Sequence, residues 1–210
     1  MEYSETYIIG GVRECDTSVR FEMISPDGEV TKLRITPKIW EKFELSSGDA
    51  VSSDTVNRLE TLSEMCEAVT RAAKYAEASP QSVRALIMKL KRAGFSSEAA
   101  ENAADMLVKR GLIDEQGQAD RFAEKSVRTG RGRSRIVRDL VAHGYPHDVS
   151  ENAADSISDD EYAAALRKSI SKKCRNGIPT ERKERDKLVA ALVRCGFSVS
   201  EIIREFDRLS

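Results

Sequence analysis

The sequence predicts a mainly α-helical protein: three tandem three-helix repeats in an elongated array, preceded by a small N-terminal region containing β-strands. Three observations predict it. Hydrophobic periodicity changes from two to three-and-four near Ser52 and stays helical to the end. Gly94-Phe95, Gly144-Tyr145 and Gly196-Phe197 lie 50 and 52 residues apart. Aromatic residues make up only 6% of the chain, against 40% apolar residues in all. Burial must then come mostly from Ala, Leu, Ile and Val, which suits packed helices.

The N-terminal elements follow from alternation and turn chemistry. Tyr7–Ile9, Ser18–Ile24 and Val30–Ile35 contain period-two patterns. Ser25-Pro26-Asp27-Gly28 is a turn, because Pro presets φ and Gly accepts a positive φ. A two- or three-stranded meander is expected. Thr36-Pro37 then opens a short helix with Trp40 and Phe43 on one face, ending near Gly48. Residues 1–50 form this region.

Helical grammar takes over from there. Leu59, Leu62, Cys66, Val69, Ala73 and Ala76 draw one apolar stripe along a long helix. Ser79-Pro80 reads as an N-cap followed by Pro at the first helical position. Aligned on the three glycines, Leu86, Ile136 and Leu188 stand eight residues before and Leu90, Leu140 and Leu192 four before. Leu107, Ile157 and Leu209 stand thirteen after. Glu101–Asp105 recurs letter for letter as Glu151–Asp155. In each unit the aliphatics share a helix face and the glycine ends that helix in a left-handed conformation. The aromatic then folds back on the last turn. A second helix starts at Ser96, Pro146 or Ser198; Ser158-x-x-Glu161 and Ser198-x-x-Glu201 have the form of capping boxes. A leading helix precedes each pair, at roughly 61–77, 115–129 and 159–175. The expected repeats are 52–113, 114–157 and 158–210.

Charge is uneven along the chain. Residues 1–60 carry 7 Lys/Arg against 12 Asp/Glu and residues 61–210 carry 27 against 23, so an acidic head precedes a mildly basic body. Any polyanion contact is expected on the body. Residues 121–138 hold Arg121, Lys125, Arg128, Arg131, Arg133, Arg135 and Arg138 against Glu124. Arginine suits bidentate phosphate or carboxylate contacts, and the turn 129–134 is expected to leave its guanidinium groups free to project. Residues 167–187, which include Lys172, Lys173 and Arg175, form a second basic segment, interrupted by acids. Both segments also fit a merely solvated charged face. No Asn or Gln is placed as in a base-reading helix, so contact with DNA would be sequence-independent.

Catalytic patterns are missing from the sequence. His143 and His147 share i,i+4 spacing, but Gly144 and Pro146 break the helix that would align them, so exposed turn histidines are expected and no metal site. There is no GxSxG, HExxH or P-loop, and the carboxylates are scattered. A non-enzyme without a cofactor is expected. Cys15, Cys66, Cys174 and Cys195 are widely spaced, as free thiols in a reducing cytosol would be. No apolar run approaches the roughly 20 residues of a membrane span, and no secretory signal is visible. A cytoplasmic protein, monomeric and off the membrane, is expected.

The ordered series from Ser82–Phe95 through Gly111–Glu115, Ala119, Phe122, Gly130–Gly132, Arg135-Ile136, Leu140 and Gly144-Tyr145 resembles the RecX family. It continues in Lys187-Leu188, Leu192, Gly196-Phe197 and Ile202, and so covers roughly residues 72–209. Gln118, Glu124, Ser126, Ala78 and Ser79 depart from the family pattern, which shifts the basic weight toward Arg128–Arg138. The resemblance implies a modulator that lies along the filament of the RecA recombinase on DNA, blocks its extension or promotes its disassembly, and has weak direct affinity for DNA. A stand-alone DNA-binding module and a passive helical scaffold remain as alternatives.

Overall fold

The computed structural model describes residues 6–174 and 177–209. Four strands open it: β1 (Thr6–Cys15), β2 (Ser18–Ile24), β3 (Val30–Ile35) and β4 (Ala50–Ser52), in the antiparallel order β3-β2-β1-β4. The meander is therefore larger than the sequence suggested. β4 escaped notice because it is only three residues long, and its partners are Thr6, Tyr7 and Ile8 at the start of β1. A bulge at Gly10-Gly11 shifts the register of β1 against β2 between Ile9 and Val12. Between β3 and β4 lie α1 (Pro37–Trp40) and a 3-10 turn at Glu41–Phe43. The helix places Trp40 against Phe21, ring centroids 4.7 Å apart.

Nine further helices are described: α2 (Ser53–Ala78), α3 (Val83–Arg92), α4 (Ser97–Lys109), α5 (Glu115–Arg128), α6 (Arg133–Ala142), α7 (His147–Asp155), α8 (Asp159–Lys173), α9 (Arg182–Arg194) and α10 (Val199–Leu209). The chain divides into two compact units, residues 1–79 with 86–112 and residues 80–85 with 113–210.

In the first unit, one face of the sheet packs on the N-terminal half of α2. Ile9, Val19, Phe21, Met23, Leu33, Ile35, Val51, Val56 and Leu59 form the core. The apolar stripe read along α2 is only partly the buried one. Leu59 is buried, whereas Leu62 and Cys66 are half-buried at the margin. Ser63 turns inward instead, where its hydroxyl accepts the backbone N–H of Arg34 at 2.9 Å and so satisfies the edge of β3. Farther along, Ala68 and Ala72 are buried, and α4 packs on α2 with Ala99, Ala100, Ala103 and Ala104 turned inward. Alanine on both sides lets the backbones approach closely, and Leu107 seals the end.

The second unit buries Ala119, Ala123, Val127, Ile136, Leu140, Ala153, Ala154, Ile157, Leu166, Leu188, Leu192, Ile202 and Phe206, among others. Each fully buried Leu or Ile contributes about 1.5–3 kcal/mol through removal from water. Tyr145 and Phe197 are buried in this cluster, while Phe95 is half-buried in the first unit. Two readings are corrected. Leu209, aligned with buried Leu107 and Ile157, is 49% exposed; Phe206, one turn earlier, fills the core, because α10 meets its neighbours through Ile202 and Phe206. Helix α3 begins at Val83 and its N-terminal turn is bonded by Ser82, whose hydroxyl accepts from Ala85 N at 3.2 Å, so Ser79-Pro80 is not the start.

The three hinge glycines share one local geometry. Gly94, Gly144 and Gly196 have φ of 96°, 89° and 100°. The following aromatic N–H bonds back to Leu90, Leu140 or Leu192, and the glycine N–H to Lys91, Val141 or Val193. That pair of bonds is the Schellman arrangement. Gly111 and Gly130 close α4 and α5 with the same pair of bonds, a use of these two glycines that the alignment did not reveal.

Candidate partner-binding surface

The basic residues predicted between 121 and 138 divide into two groups, both within the second unit. Arg121, Lys125 and Arg128 lie four and three residues apart along α5 and are exposed. Arg128 reaches Glu124 at 3.5 Å, an exposed pair contributing about 0.3–0.5 kcal/mol. Arg121 and Lys125 form no ion pair among the described residues. From α8, the Lys168 ammonium donates to the Arg128 carbonyl at 2.7 Å, which ties the C-terminal half of α8 to the end of α5. Lys172 and Lys173 are exposed on the last turn of α8. Two helix C-termini, whose dipoles favour cations, thus present a basic ridge. Arg175 lies outside the described residues.

The second group does not project freely, contrary to the reading of the turn. Arg131 Nη1 and Arg135 Nε both bind Asp139, at 2.5 and 2.8 Å, and the Asp139 side chain is only 15% exposed. Arg133 pairs with Asp155 and lies over the Tyr162 ring, 5.3 Å from its centroid. Arg138 Nε donates to the Ser134 carbonyl at 3.1 Å. Sequence counting missed this because Asp139 lies just past the counted segment and Asp155 belongs to another helix. Arg133 and Arg138 line a groove of about 480 Å³, with Val137, Phe197, Glu151 and Glu201 as further walls.

A backbone joint holds this corner in place. Gly132 N donates to the Cys195 carbonyl at 2.8 Å, and the Ser134 hydroxyl to the Gly196 carbonyl at 3.0 Å. A Cβ on Gly132 would lie 2.4 Å from the Gly196 carbonyl, so only glycine fits. A counterpart occurs fifty residues earlier, made by a side chain instead of a backbone N–H. Ser82, which stands as far before Gly94 as Gly132 does before Gly144, donates from its hydroxyl to the His143 carbonyl at 2.9 Å. Each joint therefore uses the carbonyl just before a hinge glycine. Another anchor went unforeseen in the sequence. Glu205 is buried on α10, and its carboxylate holds Arg167 at 3.1 Å and Arg208 at 3.7 Å.

His143 and His147 are exposed. His143 Nδ1 lies 2.6 Å from the Asp139 carbonyl, and His147 is 3.3 Å from Glu151. Among the described residues no cluster of His, Cys, Asp and Glu could hold a metal ion, and no helix is long and apolar enough to cross a membrane. Burial pushes the Tyr162 phenol up to about 12 and raises the Cys66 and Cys174 thiols. These shifts come from packing, and none gathers an acid, a base and a nucleophile at one place.

Fold and surface together define a mainly helical protein with a small N-terminal sheet, whose conspicuous chemistry is cationic side chains set on jointed helix ends. No family model matches the chain. It is 24% identical over 168 residues to regulatory protein RecX of Lactobacillus delbrueckii, a match spanning 79% of this chain and 62% of that relative. RecX of Halorhodospira halophila is 28% identical over 122 residues, or 73% of its length. RecX of Ectopseudomonas mendocina is 30% identical over 120 residues, 57% of this chain and 79% of its own length. A crystal structure of a regulatory protein RecX superposes with a TM-score of 0.75 at 19% identity, covering 96% of this chain and 99% of that one. RecX from Lactobacillus salivarius gives 0.59 at 18% identity over 69% of this chain. The chain belongs to the RecX family.

Proposed function

We propose that this protein is a non-enzymatic regulator that binds the RecA recombinase, or its filament on DNA, and inhibits or modulates its activity in recombination and repair. The observation that carries the reading is the set of exposed cations Arg121, Lys125 and Arg128 on α5 and Lys172 on α8, two helices tied together by the bond from Lys168 to the Arg128 carbonyl. Family membership supplies the kind of partner. Three repeats, at residues 52–113, 114–157 and 158–210, would offer successive protomers several modest contacts at once, and affinity multiplies when such contacts are linked. A cytoplasmic setting agrees with four free cysteines among the described residues.

The test is RecA-dependent ATP hydrolysis on single-stranded DNA, titrated with wild-type protein and with Arg121→Glu/Lys125→Glu/Lys172→Glu. Wild type is expected to reduce the rate near stoichiometric amounts, and the variant to need at least about tenfold more, a loss of about 1.4 kcal/mol. No effect of wild type in excess overturns the reading. Reversing Arg131, Arg133 and Arg135 is a poorer test, because it would set glutamates against Asp139 and Asp155 and strain the fold. The alternative, a stand-alone sequence-independent DNA binder, is supported by the same exposed cations. It requires equal affinity for bare DNA and for the filament, with steep dependence on salt.

A further inference from the structure

The N-terminal head carries an excess of acids, yet the structure gathers four of its seven cations, Arg13, Arg20, Lys32 and Arg34, in one place. Registers across the sheet put Arg13 opposite Arg20 and Arg20 opposite Arg34, so three arginines stand side by side on the face turned away from the core. Neighbouring strands are about 4.8 Å apart, and like charges directly opposite one another destabilise a sheet. Beside this row, the C-terminal half of α2 contributes Arg71 and Lys74. Together they line an open cleft of about 750 Å³, with the half-buried Phe95 at its wall. Only Glu22 and Glu67 oppose them in the lining, and Glu22 is 3.8 Å from Lys32. Arg34 donates to the Thr70 hydroxyl at 3.1 Å. The side chains of Arg13, Arg20, Arg71 and Lys74 make no ion pair or hydrogen bond among the described residues, although the head has acids to spare.

We propose that this cleft binds the phosphodiester backbone of a single-stranded nucleic acid, as a site separate from the basic ridge of the second unit. A row of arginines meets successive phosphates with several donors each. Phe95 adds an aromatic surface against which a base can stack, and a cationic groove with an aromatic wall is the arrangement that single strands use without sequence preference. An acidic peptide would satisfy the arginines and leave Phe95 unused. The inference does not depend on RecA being the partner.

The experiment uses the full chain and fluorescein-labelled oligo(dT) and oligo(rU), titrated by anisotropy over a range of salt. The variant is Arg13→Ala/Arg20→Ala/Arg71→Ala, whose exposed side chains hold nothing in place; unchanged thermal unfolding confirms its fold. Each lost phosphate contact lowers the slope of log affinity against log salt by about 0.7 for a single strand. The triple variant is therefore expected to lose about 2 from the slope and at least about tenfold in affinity at low salt. The Arg121→Glu/Lys125→Glu/Lys172→Glu protein should keep the part of the slope that the head supplies, so that failure here and failure of the RecA reading are read from different variants. Unchanged affinity and slope in the triple-Ala variant overturn the proposal. So does a wild-type protein that binds poly-glutamate through these arginines and neither oligonucleotide.

Discussion

At the scale of single residues, Gly132 and Glu205 carry more than their identities announce. Gly132→Ala would drive a methyl group into the Gly196 backbone, which cannot swing aside as a side chain can. Urea unfolding should register a loss of about 3 kcal/mol, the upper end of overpacking costs. Gly94→Ala faces open space and bears only the strain of its positive φ, so about 1 kcal/mol is expected. Equal losses at the two sites would refute the joint. Glu205→Ala strands no buried charge, since Arg167 and Arg208 are half-exposed or more, but it empties a buried position and removes two charged contacts. A loss of about 2 kcal/mol is expected, read from the same unfolding curves.

At the scale of elements, the hinges and caps set where each helix begins and stops. The Ser158 capping box opens α8, with the Glu161 N–H bonded to the Ser158 hydroxyl and the Glu161 carboxylate returning to Ser158 N. Ser158→Ala should cost about 1 kcal/mol. The first turn of the same helix carries Tyr162, whose hydroxyl donates to the Ala154 carbonyl at 2.8 Å and whose phenol is pushed by burial up to about 12. In the unfolded chain that phenol ionises near pH 10. Between about pH 10 and 12 the unfolded state has lost a proton that the native state keeps, so stability falls as pH rises through that window and is intact below it. Tyr145, also raised by burial, acts in the same direction. Thermal unfolding of Tyr162→Phe should show a shallower decline above pH 10 than wild type; parallel curves would remove Tyr162 from the alkaline transition.

At the scale of the whole molecule, two charged surfaces stand out, and charge counting found only one of them. The ridge on α5 and α8 was visible as a run of Arg and Lys in sequence. The cations of the head cleft are dispersed in sequence, at 13, 20, 32, 34, 71 and 74, and the first four lie in a stretch, residues 1–60, whose balance is −5. The two surfaces make separable predictions: reversal on the ridge should raise the amount of protein needed to slow RecA, and alanines in the cleft should flatten the salt dependence of oligonucleotide binding.

The order of helices, the glycine–aromatic hinges and both capping boxes were legible in the sequence because each is set by residues within a few positions of one another. A left-handed turn needs its glycine, and a cap its serine, whatever the rest of the chain does. β4, the inward turn of Ser63, the pairing of three arginines with Asp139 and Asp155, and the row of Arg13, Arg20 and Arg34 were settled only by tertiary structure. Their partners lie on other strands and helices, and sequence spacing holds no record of a distance that only folding makes short.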